Sequence, residues 1–143
     1  MLAVAAHAEV EGVLLLSPPG AGAFMGVPWW RAMMAVLAAG QSGVPFDHVL
    51  DCGHDVAAAL EAIRAGQRLL VLDHAAAQED TVRRRAEARN GVCLSARPAA
   101  FDLAVPGRLP PDPAGSYAMR SLAAFLSGRR RGGVAVVPPL RGR

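Results

Sequence analysis

The sequence contains no lysine: all fifteen of its cationic side chains are arginine. That absence excludes Schiff-base chemistry through a lysine amine and any phosphate loop built on a Walker-type lysine. Cysteine is scarce too. Cys52 and Cys93 each lie inside an apolar run, so no disulfide framework is visible, as expected of a protein of the reducing cytosol. Aromatic residues make up 5% of the chain and charged residues 19%, against 52% hydrophobic. A globular fold is therefore expected rather than disorder, with helices packed closely on small alanine side chains. A long unbroken apolar run is also lacking. Residues 12–30 carry no charge, but Pro18, Pro19, Pro28 and four glycines interrupt them. A bilayer span needs about 20 apolar residues in continuous helix, so no membrane association is expected. The first residues have no cationic n-region, and Glu9 and Glu11 break their apolar run, which argues against a signal peptide.

What is present is one domain's worth of chain, 143 residues, with a formal net charge of +3. The segment 44–74 sets its organisation. Two short apolar runs, Val49-Leu50 and residues 69–72, each end in Leu-Asp, with an amphipathic stretch between them. This is the pattern of a right-handed βαβ crossover. Strands are expected at 13–16, 46–51, 69–73 and 92–95. Helices are expected from Pro28 to Gly40, from His54 or Asp55 to Gly66, and over 76–89, where Asn90-Gly91 provides a left-handed stop. The loop 17–27, rich in glycine and proline, reads as irregular. In the middle helix Val56, Leu60 and Ile63 share a face, with alanines filling the rest. In the next one Glu79-Arg83, Asp80-Arg84 and Arg83-Glu87 are opposite charges one turn apart, marking a solvated rim helix. Prolines dominate 98–115, where 101–105 could form an edge strand. A last helix is expected over 116–128.

The fold class that follows is α/β: a small open, mostly parallel sheet of four or five strands with helices on both faces, of flavodoxin-like size and alternation. Residues 1–128 form the domain, and 129–143 an arginine-, glycine- and proline-rich tail with a possible edge strand around Val136. A response-regulator receiver has the same size and alternation. However, the first strand here ends in Ser17-Pro18-Pro19 without an acidic pair, and the chain has no lysine. No family is assigned.

Open parallel sheets bind ligands at the carboxyl ends of their strands. That edge carries Asp51, Cys52, His54, Asp73 and His74. Asp51, His54, Asp73 and His74 are candidate acid–base partners, and Cys52 beside a histidine is a candidate nucleophile. The spacing matches no metal signature, so no metal site is assigned, and no cofactor is identified. Ser17, Gly20 and Gly22 could present backbone amides to an anion, although their spacing departs from the dinucleotide fingerprint. Phe24, Met25, Trp29 and Trp30 are apolar residues near the same edge that could meet a partner. The arginine triplets at 83–85 and 129–131 lack an aromatic platform, and the first is interleaved with acids, so nucleic acid is not an expected partner. Two functions stand. One is a soluble, cytoplasmic binding or assembly module whose partner is a protein or a second copy of the chain. The other is a small-molecule enzyme of hydrolase or transferase type using the Asp/His cluster after the second and third strands.

Overall fold

The structure, a computed structural model, describes residues 12–40 and 44–100. The expected edge strand at 101–105, the helix at 116–128 and the tail at 129–143 lie outside the described residues. In chain order the elements are β1 (Val13–Leu16), α1 (Ala21–Phe24), α2 (Val27–Ala39), β2 (Phe46–Asp51), α3 (Val56–Arg64), β3 (Leu69–Val71), α4 (Glu79–Glu87) and β4 (Val92–Leu94). The loop read as irregular over 17–27 contains the single turn α1, which ends just before Gly26 opens α2.

Several boundaries follow from local chemistry. Pro28 sits in the first turn of α2, where its missing N–H costs nothing. Asp55 caps α3 by accepting the Ala58 N–H at 3.0 Å, an interaction worth about 1 kcal/mol. After α4, Asn90 takes the left-handed conformation (φ 56°). Gly91 is demanded by space instead, since a Cβ there would lie 2.7 Å from the Arg68 carbonyl oxygen. On α4, Arg83 pairs with both Glu79 and Asp80, so Asp80 turns to Arg83 rather than to the expected Arg84.

The four strands form one parallel sheet in the order β1-β2-β3-β4. When each strand is laid beside its predecessor, right-handed crossovers put every connecting helix on the same face. Strand alternation shows this directly. Leu15, Leu50, Leu70 and Cys93 point to a core shared with Ala21 of α1, with Val27, Trp30 and Met34 of α2, with Ala58, Ala59, Ala62 and Ile63 of α3, and with Val82 and Ala86 of α4. The opposite face carries a second apolar cluster, Val49, Leu69 and Val71, with Leu16, Val92 and Leu94 against it. Helices on both faces were expected; among the described residues, all four helices lie on one. In α3 Ala59 and Ala62 are the deepest residues, while Val56 and Leu60 are only partly buried. Small side chains let this helix sit close to the sheet, and fully burying leucines such as Leu50 and Leu70 contributes about 1.5–3 kcal/mol each. No described helix is long and apolar enough to cross a membrane.

Among the described residues, His48 is the histidine on the core side of the sheet, beside Leu15 of β1. Its ring meets Trp30 edge-on, with centroids 5.9 Å apart, and its Nδ1 lies 3.1 Å from Gln67 Nε2. The Gln67 amide also donates to the His48 and Leu69 carbonyls, both at 2.8 Å, tying β2 to the entry of β3. Burial, and then the Arg31 charge, hold the imidazole below its ordinary value of 6.5, with Asp47 pulling the other way. The unfolded chain takes up this proton near 6.5 and the folded chain only at lower pH, so in that window the unfolded state binds more protons. Stability should therefore fall as pH drops below about 6.5. Urea midpoints measured from pH 7 to pH 5 should decline in the native protein and flatten in His48→Gln. An equal decline in both proteins would remove His48 as the cause.

Candidate functional site

The carboxyl edge of the sheet divides into two groups that do not meet in one site. The first is centred on Asp51, the last residue of β2, which is 2% exposed. A carboxylate this deep must have its lone pairs satisfied, and here they are. Its Oδ1 accepts the N–H of Gly20 at 2.9 Å and of Gly53 at 2.8 Å. Its Oδ2 is paired with the Arg97 guanidinium. Both glycines have positive φ, 67° and 57°, a conformation that turns their amides toward the carboxylate and that other residues adopt only with strain. Arg97 also donates to the Ser17 carbonyl at 3.1 Å. The Ser17 hydroxyl accepts the Asp51 N–H at 2.8 Å and donates to the Pro18 carbonyl at 3.1 Å.

This network accounts for most of the residues placed in the anion loop. Ser17 is buried, and its hydroxyl is engaged in both directions. Gly20 does present its amide to an anion, but that anion is the chain's own Asp51. Gly22 is buried because α1 packs against the turn after β2: a Cβ there would lie 2.9 Å from Cys52 Sγ. Cys52 itself is buried and unpaired, with its thiol pushed up to about 12, mainly by burial and then by the Asp51 and Asp55 charges. A nucleophile needs the opposite environment, exposed and electropositive.

The second group is exposed. Asp73 stands half-exposed between two solvent-facing imidazoles, with His74 Nδ1 3.3 Å from one of its oxygens and His54 Nε2 3.8 Å from the other. The Ala75 N–H donates to Asp73 Oδ1 at 2.9 Å and, ahead of the two histidines, holds the carboxyl below its ordinary value. The four acid–base candidates thus separate: His54, Asp73 and His74 are together, and Asp51 is turned away into its own network. Among the described residues, no group of three or more His, Cys, Asp or Glu is arranged to hold a metal ion.

The aromatic candidates also separate. Phe24 is 67% exposed and Trp29 49% exposed, Met25 is partly covered, and Trp30 is buried with its Nε1 lacking an acceptor among the described residues. Sequence reasoning missed Arg97 altogether. The available signal was that Asp51 closes an apolar pair, Val49-Leu50, where a buried carboxylate needs hydrogen-bonding or cationic partners, and that an arginine follows the fourth expected strand.

Replacing Asp51 tests this account. Asp51→Ala leaves two amides and a guanidinium without their acceptor and should cost about 3–5 kcal/mol. Asp51→Asn keeps an oxygen for both glycine amides but turns an NH2 donor toward the Arg97 guanidinium, losing that ion pair and its hydrogen bond. Because the Arg97 side chain is partly solvated, a smaller cost of about 1–3 kcal/mol is expected. Denaturant midpoints at constant m-value measure the difference. Equal costs for the two variants would mean that the glycine amides do not depend on the carboxylate.

Compared with protein-family models, with curated proteins and with solved structures, the chain matches none.

Proposed function

We propose that this chain is a binding or assembly module that pairs through the outward face of α2, its partner being a second copy of the same chain. The observation that carries the reading is the composition of that face. Val27, Trp30 and Met34 turn α2 toward the core, yet the opposite side is apolar as well. Trp29, Ala32 and Val36 recur at helical spacing along it, with Met33 and Leu37 at its flank and Phe24 of α1 beyond its start. Val36 is 72% exposed. Arg31 is the single charged residue in the thirteen of this helix. A helix that is apolar all round is normally buried, and a contiguous exposed apolar strip marks an interaction surface.

A second copy fits for two reasons. The strip bears no charge of its own, so a two-fold pairing brings no like charges together. It also alternates large and small side chains, so Trp29 and Val36 of one helix can seat over the alanines of an antiparallel copy. At about 1.5 Å per residue the helix is roughly 20 Å long, which places the contact among small, concentration-dependent interfaces. Sedimentation velocity should show a dimer that grows with concentration and that Val36→Glu or Trp29→Glu disperses, with circular dichroism unchanged. A monomer at every concentration reached would sink the reading.

A second reading, a small-molecule enzyme of hydrolase or transferase type, is supported by the contact of Asp73 with His54 and His74. A carboxylate can orient an imidazole as a general base. It ranks second because the cluster is open to solvent: the His54, His74 and Asp73 side chains are 70%, 78% and 40% exposed. Hydrolysis of activated esters lost in both His54→Ala and His74→Ala, with the fold intact, would raise it to first. Turnover indifferent to both substitutions would remove it.

A further inference from the structure

Helix α4 carries acids at both ends, Glu79 and Asp80 in its first turn and Glu87 as its last residue. Its acids at the first turn, Glu79 and Asp80, are both taken by Arg83. Beyond them Arg85 and Arg89 stand one turn apart, and Arg64 ends the neighbouring α3. These three arginines line a cleft of about 240 Å³ between the two helices, whose remaining walls are Leu60, Ile63 and Ala88. All three are exposed, and none forms an ion pair with a described carboxylate. Arginine in the last turn of a helix offsets the negative end of the helix dipole, which accounts for one such residue on each helix. It does not account for a second arginine on the α4 side or for the convergence of all three on an apolar-walled cleft. Like charges at this spacing repel one another, and a bound anion removes that repulsion.

From this convergence we propose that the cleft between α3 and α4 binds a phosphate monoester carried on a small apolar or aromatic group. The guanidinium fork matches phosphate oxygens in pairs, and three cations suit a group that carries nearly two negative charges at neutral pH. A carboxylate, with one charge, leaves the cluster under-neutralised. Leu60, Ile63 and Ala88 give the organic part a surface to cover. The volume lies below the roughly 300–1,000 Å³ of sites for drug-sized ligands, which limits that part to about one ring. The site is separate from the outward face of α2 and does not depend on how that face is used.

Isothermal titration of the full chain with phenyl phosphate, inorganic phosphate, sulfate and phenol tests the assignment. Phenyl phosphate should bind most tightly, weakening with added salt. Arg64→Gln, Arg85→Gln and Arg89→Gln should each lose about tenfold, as expected for hydrogen bonds to a charged group, and the triple variant should not bind. Because these side chains are exposed, the variants should keep the parent's circular dichroism and melting temperature. Phenyl phosphate binding no better than sulfate, or binding unchanged in the triple variant, would overturn the proposal. So would binding only to vesicles containing phosphatidic acid with none to phenyl phosphate, which would assign the arginines to a lipid surface.

Discussion

The fold depends on a buried carboxylate that has no access to water. Asp51 closes β2, and its ion pair with Arg97 draws the chain leaving β4 back along the carboxyl edge to Ser17 at the end of β1. Strands lie about 4.8 Å apart, so this tether spans three strand intervals, roughly 14 Å. At the same time the carboxylate fixes the turns after β1 and β2 through Gly20 and Gly53. A charge at this depth is tolerable only if every lone pair is engaged, and each engagement here belongs to a different loop. The edge that open parallel sheets usually offer to a ligand is thus filled, over β1 and β2, by the protein's own ion pair. What remains of that edge is Asp73 with its two histidines, outside the network and in solvent.

The second organising fact is topological. Sequential strand order with right-handed crossovers leaves no choice about where the helices go, and the described helices share one face. The alternation of strands and helices, and the flavodoxin-like size, led to the expectation of helices on both faces. The face opposite the described helices is nevertheless buried, with Val49, Leu69 and Val71 at 0%, 5% and 3% exposed. Hydrophobicity reports that a face leaves water. It does not report which element covers it.

The strands, the start of α3 at His54 or Asp55, the start of α2 at Pro28 and the stop at Asn90 were legible because each follows from a rule acting within a few residues. Arg97 was not, since its partner lies forty-six positions away and the signal was only a buried acid in need of a cation. Trp29 and Trp30 show a subtler limit. They are 100° apart on α2, and the helix is apolar on every side, so hydrophobicity alone cannot say which one faces the core. The spacing of Val27, Trp30 and Met34 identifies the buried stripe once the sheet is in place. Gly22 was singled out for the amide it could offer a ligand, whereas the structure needs it for the space it leaves Cys52.

These outcomes share a cause, and it bears on how function is to be sought here. A polar group already satisfied within the fold is spent, however well its position matches a ligand edge. Ser17, Gly20, Asp51 and Gly53 are all of this kind. The groups with interaction capacity left over lie elsewhere: apolar surface along α2 that no described residue covers, and guanidinium groups between α3 and α4 that no described carboxylate answers. Each is a small free-energy cost in isolation, by like-charge repulsion or by water held against apolar carbon, and each cost is relieved by an occupant of complementary chemistry. In a domain whose net stability is only about 5–15 kcal/mol, such costs bear on the margin by which it stays folded. The unmet groups on the helical face, rather than the strand ends, are therefore where partners of this protein should be looked for.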